Sequence, residues 1–553
     1  MKNLISTCFC FLFSTAAFSQ SAYQPLQTEA YHIFDRLEIK SGRINDSVFT
    51  SVKPYNRKAM RLVVNQFSTD STVLSKTDLK LIAFINRDNW VYDSNGFELS
   101  KNPLLKKIYK SKTDFFAVDV PDFRLRLNPV LYDVIGKDSN SDNLVYTNTR
   151  GVEIEGLISK KLAFYTYLTE NQARVPNYVQ DKLTNNFKIL PGGGLVKPYG
   201  DGTSIDFSEA RGYISFQAIR HVNIQFGNDR NFIGNGFRSM IQSDAGNSNL
   251  FLKLNTNVWK LNYTNLFFEL TDVNGVLNNK TFPKKFAAVH HLSVNLNKNL
   301  NVGLFENIVF SNDNGFDLNY LNPIIFYRNV EFYLGSPHNA SLGADFKYNF
   351  LKRFSAYGQL FVDEFKFAEV TAGDGWWANK FGYQLGLKYI DVANISNLDL
   401  QIEYNAARPY TYTHFNTQQS YSHYSQPLAH PLGANFKEYI AIVRYQPIQK
   451  LTLKFTIISA TFGADSGGLN YGSNILLNYT TRIKDYGNET LQGVATQLTN
   501  VSGIVSYQLR HNLYFDLSGV YRKLDSEINA RDTESMIITG GLRLNIAPRN
   551  YDF

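Results

Sequence analysis

One stretch of the chain combines charged residues and glycines in a pattern that suits contact with a polar ligand. Segment 227–245 holds Asp229, Arg230, Arg238 and Asp244 among glycines, asparagines and serines. Glycine lets a backbone approach a ligand closely, and guanidinium and carboxylate groups hydrogen-bond to sugar hydroxyls or to acidic groups. The segment lacks the Gly-Lys-Ser/Thr ending of a phosphate-binding loop. Two interpretations stay open: direct ligand contact, and a loop folded inward as a constriction.

A second candidate surface is the aromatic segment 409–430. Its ring-bearing residues include Tyr410, Tyr412, His414, Tyr421 and Tyr424. Aromatic rings stack on sugar rings, and Tyr hydroxyls hydrogen-bond to their edges. The same composition is typical of an aromatic girdle at a membrane interface, so both interpretations stay open. The pair Trp376 and Trp377 favours a membrane-interface anchor over a sugar platform.

The sequence carries no local signature of catalysis. Its 9 histidines are dispersed, and Cys8 and Cys10, the 2 cysteines, lie in the predicted leader, so we expect no thiol chemistry and no disulfide. Residues 312–317 present alternating oxygen ligands that suit Ca²⁺ but lack the bidentate Glu of a calcium loop. We therefore predict no catalytic residue, no metal site and no cofactor, and interpret the protein as non-enzymatic.

Strands must position these loops, because apolar and polar residues alternate one for one over most of the chain. In one such run Leu453, Phe455 and Ile457 alternate with Lys454 and Thr456. A period of two places one face of a strand in an apolar medium and the other in a wet one. We count about 18 such runs, which predicts an all-β fold, a transmembrane antiparallel β-barrel. The longest predicted strand spans 352–370, and Pro548 predicts that the closing strand ends before a tail, 548–553.

The connections between these strands test the barrel independently. Predicted connections near 159–160, 220–221, 351–353 and 510–512 are short, whereas 171–208, 228–247, 312–337, 409–435 and 463–493 are long and polar. Outer-membrane barrels alternate short periplasmic turns with longer external loops. The predicted short and long connections follow one another in the order that such a barrel requires, with short connections after even-numbered strands.

The N-terminal part of the chain differs from the rest. Residues 1–19 read as a signal peptide, with a positive start, an apolar core and a small-x-small cleavage site. Within 20–113 we predict three short amphipathic helices: one after Thr28 that ends at Gly42, one near 55–67, and one that begins at Ser75. These helices are too short and charged to span a membrane. We interpret 20–113 as a periplasmic helical element and 114–553 as the barrel.

The motifs of the glycine-rich segment resemble those of the Wzi capsule-assembly family of outer-membrane barrels. The resemblance includes the Gly-x-x-x-x-x-x-Gly-x-Gly element at 227–236, the Ser-Asp-Ala that follows, and segments 322–333, 335–339 and 342–345. Within that group the chain is most similar to RemB-type gliding motility proteins. Where the better-known family has Trp-Gly in the loop, this chain has Ile233-Gly234. The resemblance implies binding or organisation of surface polysaccharide in support of gliding, and implies no catalytic residue.

The sequence thus predicts an outer-membrane barrel. Its expected partners are outer-membrane lipid and lipopolysaccharide, surface polysaccharide, and a periplasmic or motility-complex protein. The net charge of +8 permits an anionic partner, although ordinary mixed charges in a lumen explain it equally well. We expect no nucleic-acid partner. The alternatives are a general diffusion porin, an outer-membrane hydrolase, and a structural partner of a motility or secretion complex.

Overall fold

Eighteen strands form the wall of the molecule in the computed structural model. The model describes residues 20–70, 74–93, 96–101, 103, 107–185, 188–200, 202–273, 281–311, 315–324, 326–335 and 338–553. The predicted leader, 1–19, and residues 312–314 of the calcium-like loop lie outside the described residues. The barrel strands are β1 (Phe123–Asp138), β2 (Leu144–Ile158), β3 (Leu162–Arg174), β4 (Ser204–Ile219), β5 (Val222–Asp229), β6 (Asn249–Val258), β7 (Leu261–Thr271), β8 (Lys284–Asn295), β9 (Leu300–Phe310), β10 (Asn339–Phe350), β11 (Phe354–Glu364), β12 (Lys380–Tyr389), β13 (Leu398–Ala407), β14 (Phe436–Ile448), β15 (Leu451–Ala464), β16 (Val494–Arg510), β17 (Leu513–Ser526) and β18 (Thr533–Leu544).

Each strand pairs antiparallel with the next, and β18 pairs antiparallel with β1. The closing register brings Ile537 opposite Asp138 and Leu544 opposite Leu131. A closed sheet leaves no unpaired edge, which is what a lipid environment demands of a β structure. The predicted barrel and its strand number are confirmed.

The alternation of side chains separates a lipid-facing wall from a polar lumen. On β15, Phe455 and Ile457 are exposed on the outside, whereas Thr456 between them is buried in the lumen. On β12, Leu385 is exposed and Gln384 is fully buried in a lumen network. The period-two interpretation therefore holds at the level of single residues.

Short and long connections alternate around the barrel. The short ones include 159–161, 220–221, 351–353 and 511–512, and the long ones include 175–203, 230–248, 311–338, 408–435 and 465–493. We call the two ends of the barrel the short-turn end and the long-loop end. One predicted boundary is wrong: the strand expected over 352–370 ends at Glu364, because the chain turns into a one-turn helix that Gly373 terminates in the left-handed conformation.

The helices are α1 (Glu29–Ser41), α2 (Arg57–Asp70), α3 (Lys76–Asp88), α4 (Asn177–Asn185), α5 (Tyr327–Leu334) and α6 (Phe367–Ala372). The first three are the helices that the sequence predicts. Gly42 ends α1 with a φ of 69°, and Ser75 begins α3 with a capping box to Asp78. Within the described residues, no helix combines the length and the apolar character needed to cross a bilayer.

Short strands attach the remaining segments to the barrel. Val52–Lys53 pairs with Phe232–Ile233, and Phe116–Val120 forms a hairpin with β1. Lys197–Tyr199 pairs with β4, and Ser422–His423 pairs with Gln426–Pro427. Single 3-10 turns lie at Trp90–Tyr92, Leu318–Leu321, Val392–Asn394, Thr417–Gln419, Tyr479–Thr481 and Asn529–Arg531.

Candidate functional site

Residues 20–70 and 74–93, with α1, α2 and α3, occupy the lumen at the short-turn end, and we call them the helical closure. Its α1 reaches lumen-facing residues of neighbouring strands: Glu38 pairs with Lys347 of β10, and Glu29 pairs with Arg444 of β14. On the other side of the lumen, Tyr23 donates its hydroxyl to Asn223 of β5 at 2.6 Å. The closure is therefore fastened to strands around the circumference.

A buried ion-pair network centred on Arg36 holds α1 in place. Its guanidinium pairs with Asp78 of α3 at 2.9 Å and with Asp391 and Asp399 of the barrel. Lys40 joins the same network at 2.6 Å from Asp78. Burial alone would raise the pKa of Asp78, but the charges of Arg36 and Lys40 bring it below its ordinary value.

A second network fastens α2 and α3 to β1 and β2. Arg57 donates to Asp88 at 2.9 Å and lies 3.2 Å from the carboxylate of Glu155. Arg126 of β1 reaches the same Glu155 oxygen at 3.3 Å. Burial opposes ionisation of Asp88, but Arg57 and Arg126 outweigh it and hold the pKa of Asp88 well below its ordinary value. Charge thus specifies the seating of all three helices.

The glycine-rich segment 230–248 bends into the lumen from the long-loop end. The main-chain amides of Phe237 and Arg238 donate to the carboxylate of Glu403 on β13 at 2.7 and 3.0 Å. A Cβ on Gly236 would lie 2.6 Å from both Glu403 and Gln384, so this close approach requires glycine. The segment is seated in the lumen as a constriction, which is one of the two interpretations that the sequence left open.

The four site residues predicted in this segment are tied to protein groups. Asp229 accepts from the main-chain amide of Arg230 at 2.8 Å. Arg238 lies 3.1 Å from Asp552, and Asp244 accepts from Gln27 at 3.1 Å. Arg230, Arg238 and Asp244 line a common lumen cavity. Their contact with a ligand stays a prediction.

The aromatic segment 408–435 packs over the glycine-rich segment, and we call these two segments together the loop closure. Tyr412 and Tyr421 are almost fully buried and donate their hydroxyls to the main-chain oxygens of Met240 and Ile241, both at 2.8 Å. Tyr410 is buried too and donates to Asn470 at 2.9 Å. In this arrangement the three rings build the closure and do not reach the surface.

Two of the histidines in this segment, His414 and His423, accept a hydrogen bond through Nδ1. The Nδ1 of His423 accepts from the amide of Thr271 at 3.0 Å, and the Nδ1 of His414 accepts from the amide of Asn416 at 3.3 Å. Burial lowers the pKa of each imidazole to about 4. Tyr424 is partly exposed, and its ring lies 4.7 Å from that of His423.

An aromatic cluster missed by the sequence reasoning lies on three long loops, and we call it the rim cluster. Its members are Trp376, Trp377, Phe415, Tyr479 and Tyr486, with the cations Lys366 and Arg482. Trp377 packs on Tyr479 with ring centroids 4.7 Å apart, and the Arg482 guanidinium lies 4.1 Å above Trp377. Lys366 lies 5.5 Å above Trp376, and Phe415 and Tyr486 are 38% and 51% exposed. The sequence showed two parts of it separately: the Trp pair, which we interpreted as an interface anchor, and segment 409–430, which contains Phe415.

A cavity of about 740 Å³ lies between the two closures. The ammonium groups of Lys53, Lys182 and Lys454 line it, and each lies over an aromatic ring. Among the residues that the structure describes, none of the three has a carboxylate partner within 4.0 Å. Burial lowers the pKa of Lys53 to about 8.

The residues after β18 run into this cavity, so the predicted tail is confirmed. Tyr178 of α4 donates to the main-chain oxygen of Tyr551 at 2.7 Å, and Arg549 donates to Asn171 of β3 at 2.8 Å. Lys182 lies 4.0 Å above the ring of Phe553. Segment 545–553 therefore fills part of the lumen.

Histidine–carboxylate pairs occur, but they hold the barrel together. His291 contacts Asp345 at 2.6 Å, and His430 contacts Glu438 at 2.7 Å, all four side chains being buried. Within the described ranges, no group of three or more His, Cys, Asp or Glu residues is placed to hold a metal ion.

The fold and the two closures define an outer-membrane β-barrel with an occupied lumen. A sequence profile of the family "Capsule assembly protein Wzi" matches residues 131–522. The chain therefore belongs to the Wzi capsule assembly family, and its location is the outer membrane. No curated protein sequence matches the chain significantly.

One solved structure shows the same architecture at low sequence identity, and a second is a weaker likeness. Wzi of Escherichia coli, described as an outer-membrane protein involved in group 1 capsule assembly and as a carbohydrate-binding β-barrel, has a TM-score of 0.58 and 13% identity. That match covers 95% of this chain and 100% of that chain, and it shows the fold. OprD of Pseudomonas aeruginosa has a TM-score of 0.42 and 12% identity, over 76% of this chain and 94% of that chain, a likeness that supports no further conclusion.

Proposed function

We propose that this protein is a non-enzymatic outer-membrane barrel that binds and organises surface polysaccharide at its long-loop end, in support of gliding motility. The observation that carries the proposal is the rim cluster. The exposed rings of Phe415 and Tyr486 offer stacking faces for sugars. Lys366 and Arg482, which also pair with Glu369 and Asp485, suit acidic groups on those sugars. The description of Escherichia coli Wzi as a carbohydrate-binding barrel supports the same function for this member of the family.

The occupied lumen favours this function over that of a general diffusion porin. The helical closure crosses the short-turn end, and the loop closure is seated on Glu403 and Gln384 from the other end. In outer-membrane barrels the short turns face the periplasm and the long loops face outward. We therefore place the helical closure on the periplasmic side, where residues 20–113 offer a surface to a periplasmic or motility-complex partner.

Polysaccharide binding to rim variants tests the proposal. We expect Trp376→Ala combined with Tyr486→Ala to weaken binding of purified surface polysaccharide from the source cell at least tenfold, about 1.4 kcal/mol. Trp259→Ala is the matched control, because this 74% exposed Trp also has a lysine over its ring, Lys260 at 5.6 Å, but lies in a short turn at the opposite end. Binding by surface plasmon resonance to protein in nanodiscs provides the readout.

Three results separate the possible outcomes. Loss of binding in the rim variant with normal binding by Trp259→Ala supports the proposal. If the rim variant binds polysaccharide normally and Arg230→Gln does not, the binding site lies in the lumen cavity, which Arg230 lines. If the native protein does not bind the polysaccharide and conducts ions steadily in a planar bilayer, it is a porin. Gliding speed of cells carrying the rim variant then tests the motility role.

A further inference from the structure

Residues 315–324 and 326–335, in the connection between β9 and β10, lie against the outside of the barrel wall. On β8 the odd-numbered residues face the lumen, since His291 contacts Asp345 and Ser293 contacts Ser51 of the helical closure. The even-numbered residues of β8 therefore face outward, and Ala288 is one of them. Ala288 nevertheless is fully buried, because Tyr320, Tyr327 and Val330 of the connection pack over it.

A polar triad lies beneath this covering on the outward face. His290 of β8 and Glu306 of β9 are cross-strand partners, with Nδ1 and Oε1 2.9 Å apart. The hydroxyl of Tyr327 lies 2.7 Å from Nε2 of His290, and the amide of Tyr327 donates to Glu306 at 3.1 Å. Charged side chains on the lipid face of a barrel are destabilising unless they are covered or paired. Helix α5 supplies both the cover and the hydrogen bonds.

The opposite side of the same connection is apolar and open. Ile324 and Phe326 are 82% and 70% exposed, and Phe332 and Tyr333 of α5 are 83% and 82% exposed. One step further from the long-loop end, the pair Leu292 and Leu304 is exposed on the wall, directly below His290 and Glu306. The exposed face of the connection is thus continuous with the lipid-facing belt.

We propose that residues 315–324 and 326–335 form an amphipathic element that is embedded in the outer leaflet, with Phe326, Phe332 and Tyr333 among the acyl chains of the lipid. The exposed face of this element is continuous with the lipid-facing belt of the barrel, and that belt lies in the hydrocarbon layer of the membrane. Lipid is therefore the partner that covers the exposed face. Arg328, whose side chain is 74% exposed, pairs with Glu331 and keeps its charged head at the aqueous boundary. The element therefore extends the membrane-contacting surface of the barrel beyond its strands and seals the triad from lipid.

Spin-label accessibility tests this placement. The background is Cys8→Ser with Cys10→Ser, which removes every cysteine of the chain, so that one new cysteine carries the label. Phe332→Cys is compared with Leu304→Cys, an exposed position of the belt, and with Tyr486→Cys, an exposed position of the rim cluster. Each protein is reconstituted in dioleoylphosphatidylcholine vesicles, and power saturation measures collisions of the label with oxygen and with a nickel chelate.

We expect the label at 332 to behave as the label at 304, with high oxygen accessibility and a nickel accessibility several-fold below that at 486. Nickel accessibility equal to that at 486 would overturn the proposal, because the element would then face water. Low accessibility to both reagents would overturn it as well, since a second copy of the chain would then cover the surface. Because position 332 makes no buried contact, the substitution leaves the fold intact, and heat-modifiable migration in gels checks this.

Discussion

At the short-turn end the lumen is closed by helices held through buried ion pairs, whereas at the long-loop end it is closed by loops held largely through hydrogen bonds to main-chain groups and through apolar packing. Arg36 alone contacts three carboxylates in the first region. In the second, Tyr412 and Tyr421 bond to main-chain oxygens inside a cluster that includes Met240 and Phe436.

The difference follows from what each closure must satisfy. The backbone groups of a helix are hydrogen-bonded within the helix, so only its side chains can fix its position on the lumen wall. Charged side chains do this with directional and selective contacts. A long loop has backbone groups that need partners, and tyrosine hydroxyls and amides supply them. A buried ion pair contributes little net stability but is costly to break. The helical closure should therefore depend on single charged residues more strongly than the loop closure depends on any one hydroxyl.

The largest expected effect comes from removing the Arg36 charge. We expect Arg36→Met to lower the free energy of unfolding by about 3–5 kcal/mol, because the buried carboxylates of Asp78 and Asp399 lose the guanidinium that bridges them. Denaturant titration in detergent measures it. Arg87→Met is the control, since Arg87 in α3 lies 3.9 Å from Glu98 in an exposed pair and should change the free energy by at most about 1 kcal/mol. Equal effects in the two variants would contradict a charge-specified closure.

A smaller effect is expected in the loop closure. Tyr412→Phe should cost about 1–2 kcal/mol, because the buried carbonyl of Met240 loses its donor while the packing of the ring is kept. Protease resistance of segment 408–435 in the folded barrel is the local readout. Tyr486→Phe, at a 51% exposed ring, should leave the same readout unchanged. A null result for Tyr412→Phe would indicate that apolar packing alone holds the loop.

The smallest expected effect is an ordered response to acid. The pKa of His414 and of His423 is about 4 in the folded chain, whereas that of a free imidazole is 6.5. As the pH falls from about 7 to 4, the state with an opened loop therefore binds protons before the closed state does. Acid in this range consequently weakens the loop closure. The pKa values of Asp78 and Asp88 are lowered in the folded chain. Their contribution to the stability of the helical closure is therefore complete at pH values above the ordinary carboxyl pKa. It is lost only when the pH falls below that value.

Hydrogen exchange followed by mass spectrometry at pH 7, 5 and 3 distinguishes the two closures. After correction for the intrinsic rate, segment 408–435 should lose protection at pH 5, and residues 20–93 only at pH 3. Combining His414→Gln with His423→Gln should remove the first step. Loss of protection in both closures at the same pH would refute the assignment of separate titrating groups.

The sequence predicted the wall of this protein well and its interior poorly. Alternation at Leu453 to Ile457 placed strands within a few residues, since lipid and water impose a local period of two. The capping box at Ser75 likewise needed only local residues. The seating of segment 230–248 on Glu403 joins residues more than 160 positions apart, and no local pattern records such a contact.

The candidate site shows the same division. Arg230, Arg238 and Asp244 lie in one segment of the sequence, and in the structure they line one cavity. The rim cluster was missed, because Trp377, Phe415 and Tyr479 come from three different loops. Its members carry no spacing rule that a sequence could display.

What the sequence by itself determined is the class of structure: a closed antiparallel barrel with alternating short and long connections and three helices before it. These features are fixed by solvent and by hydrogen bonds between near neighbours. Only the tertiary structure decided that both ends of the lumen are occupied, which rings reach the surface, and that α5 lies on the outer wall. Such outcomes depend on which distant groups satisfy one another, and that is settled when the barrel closes.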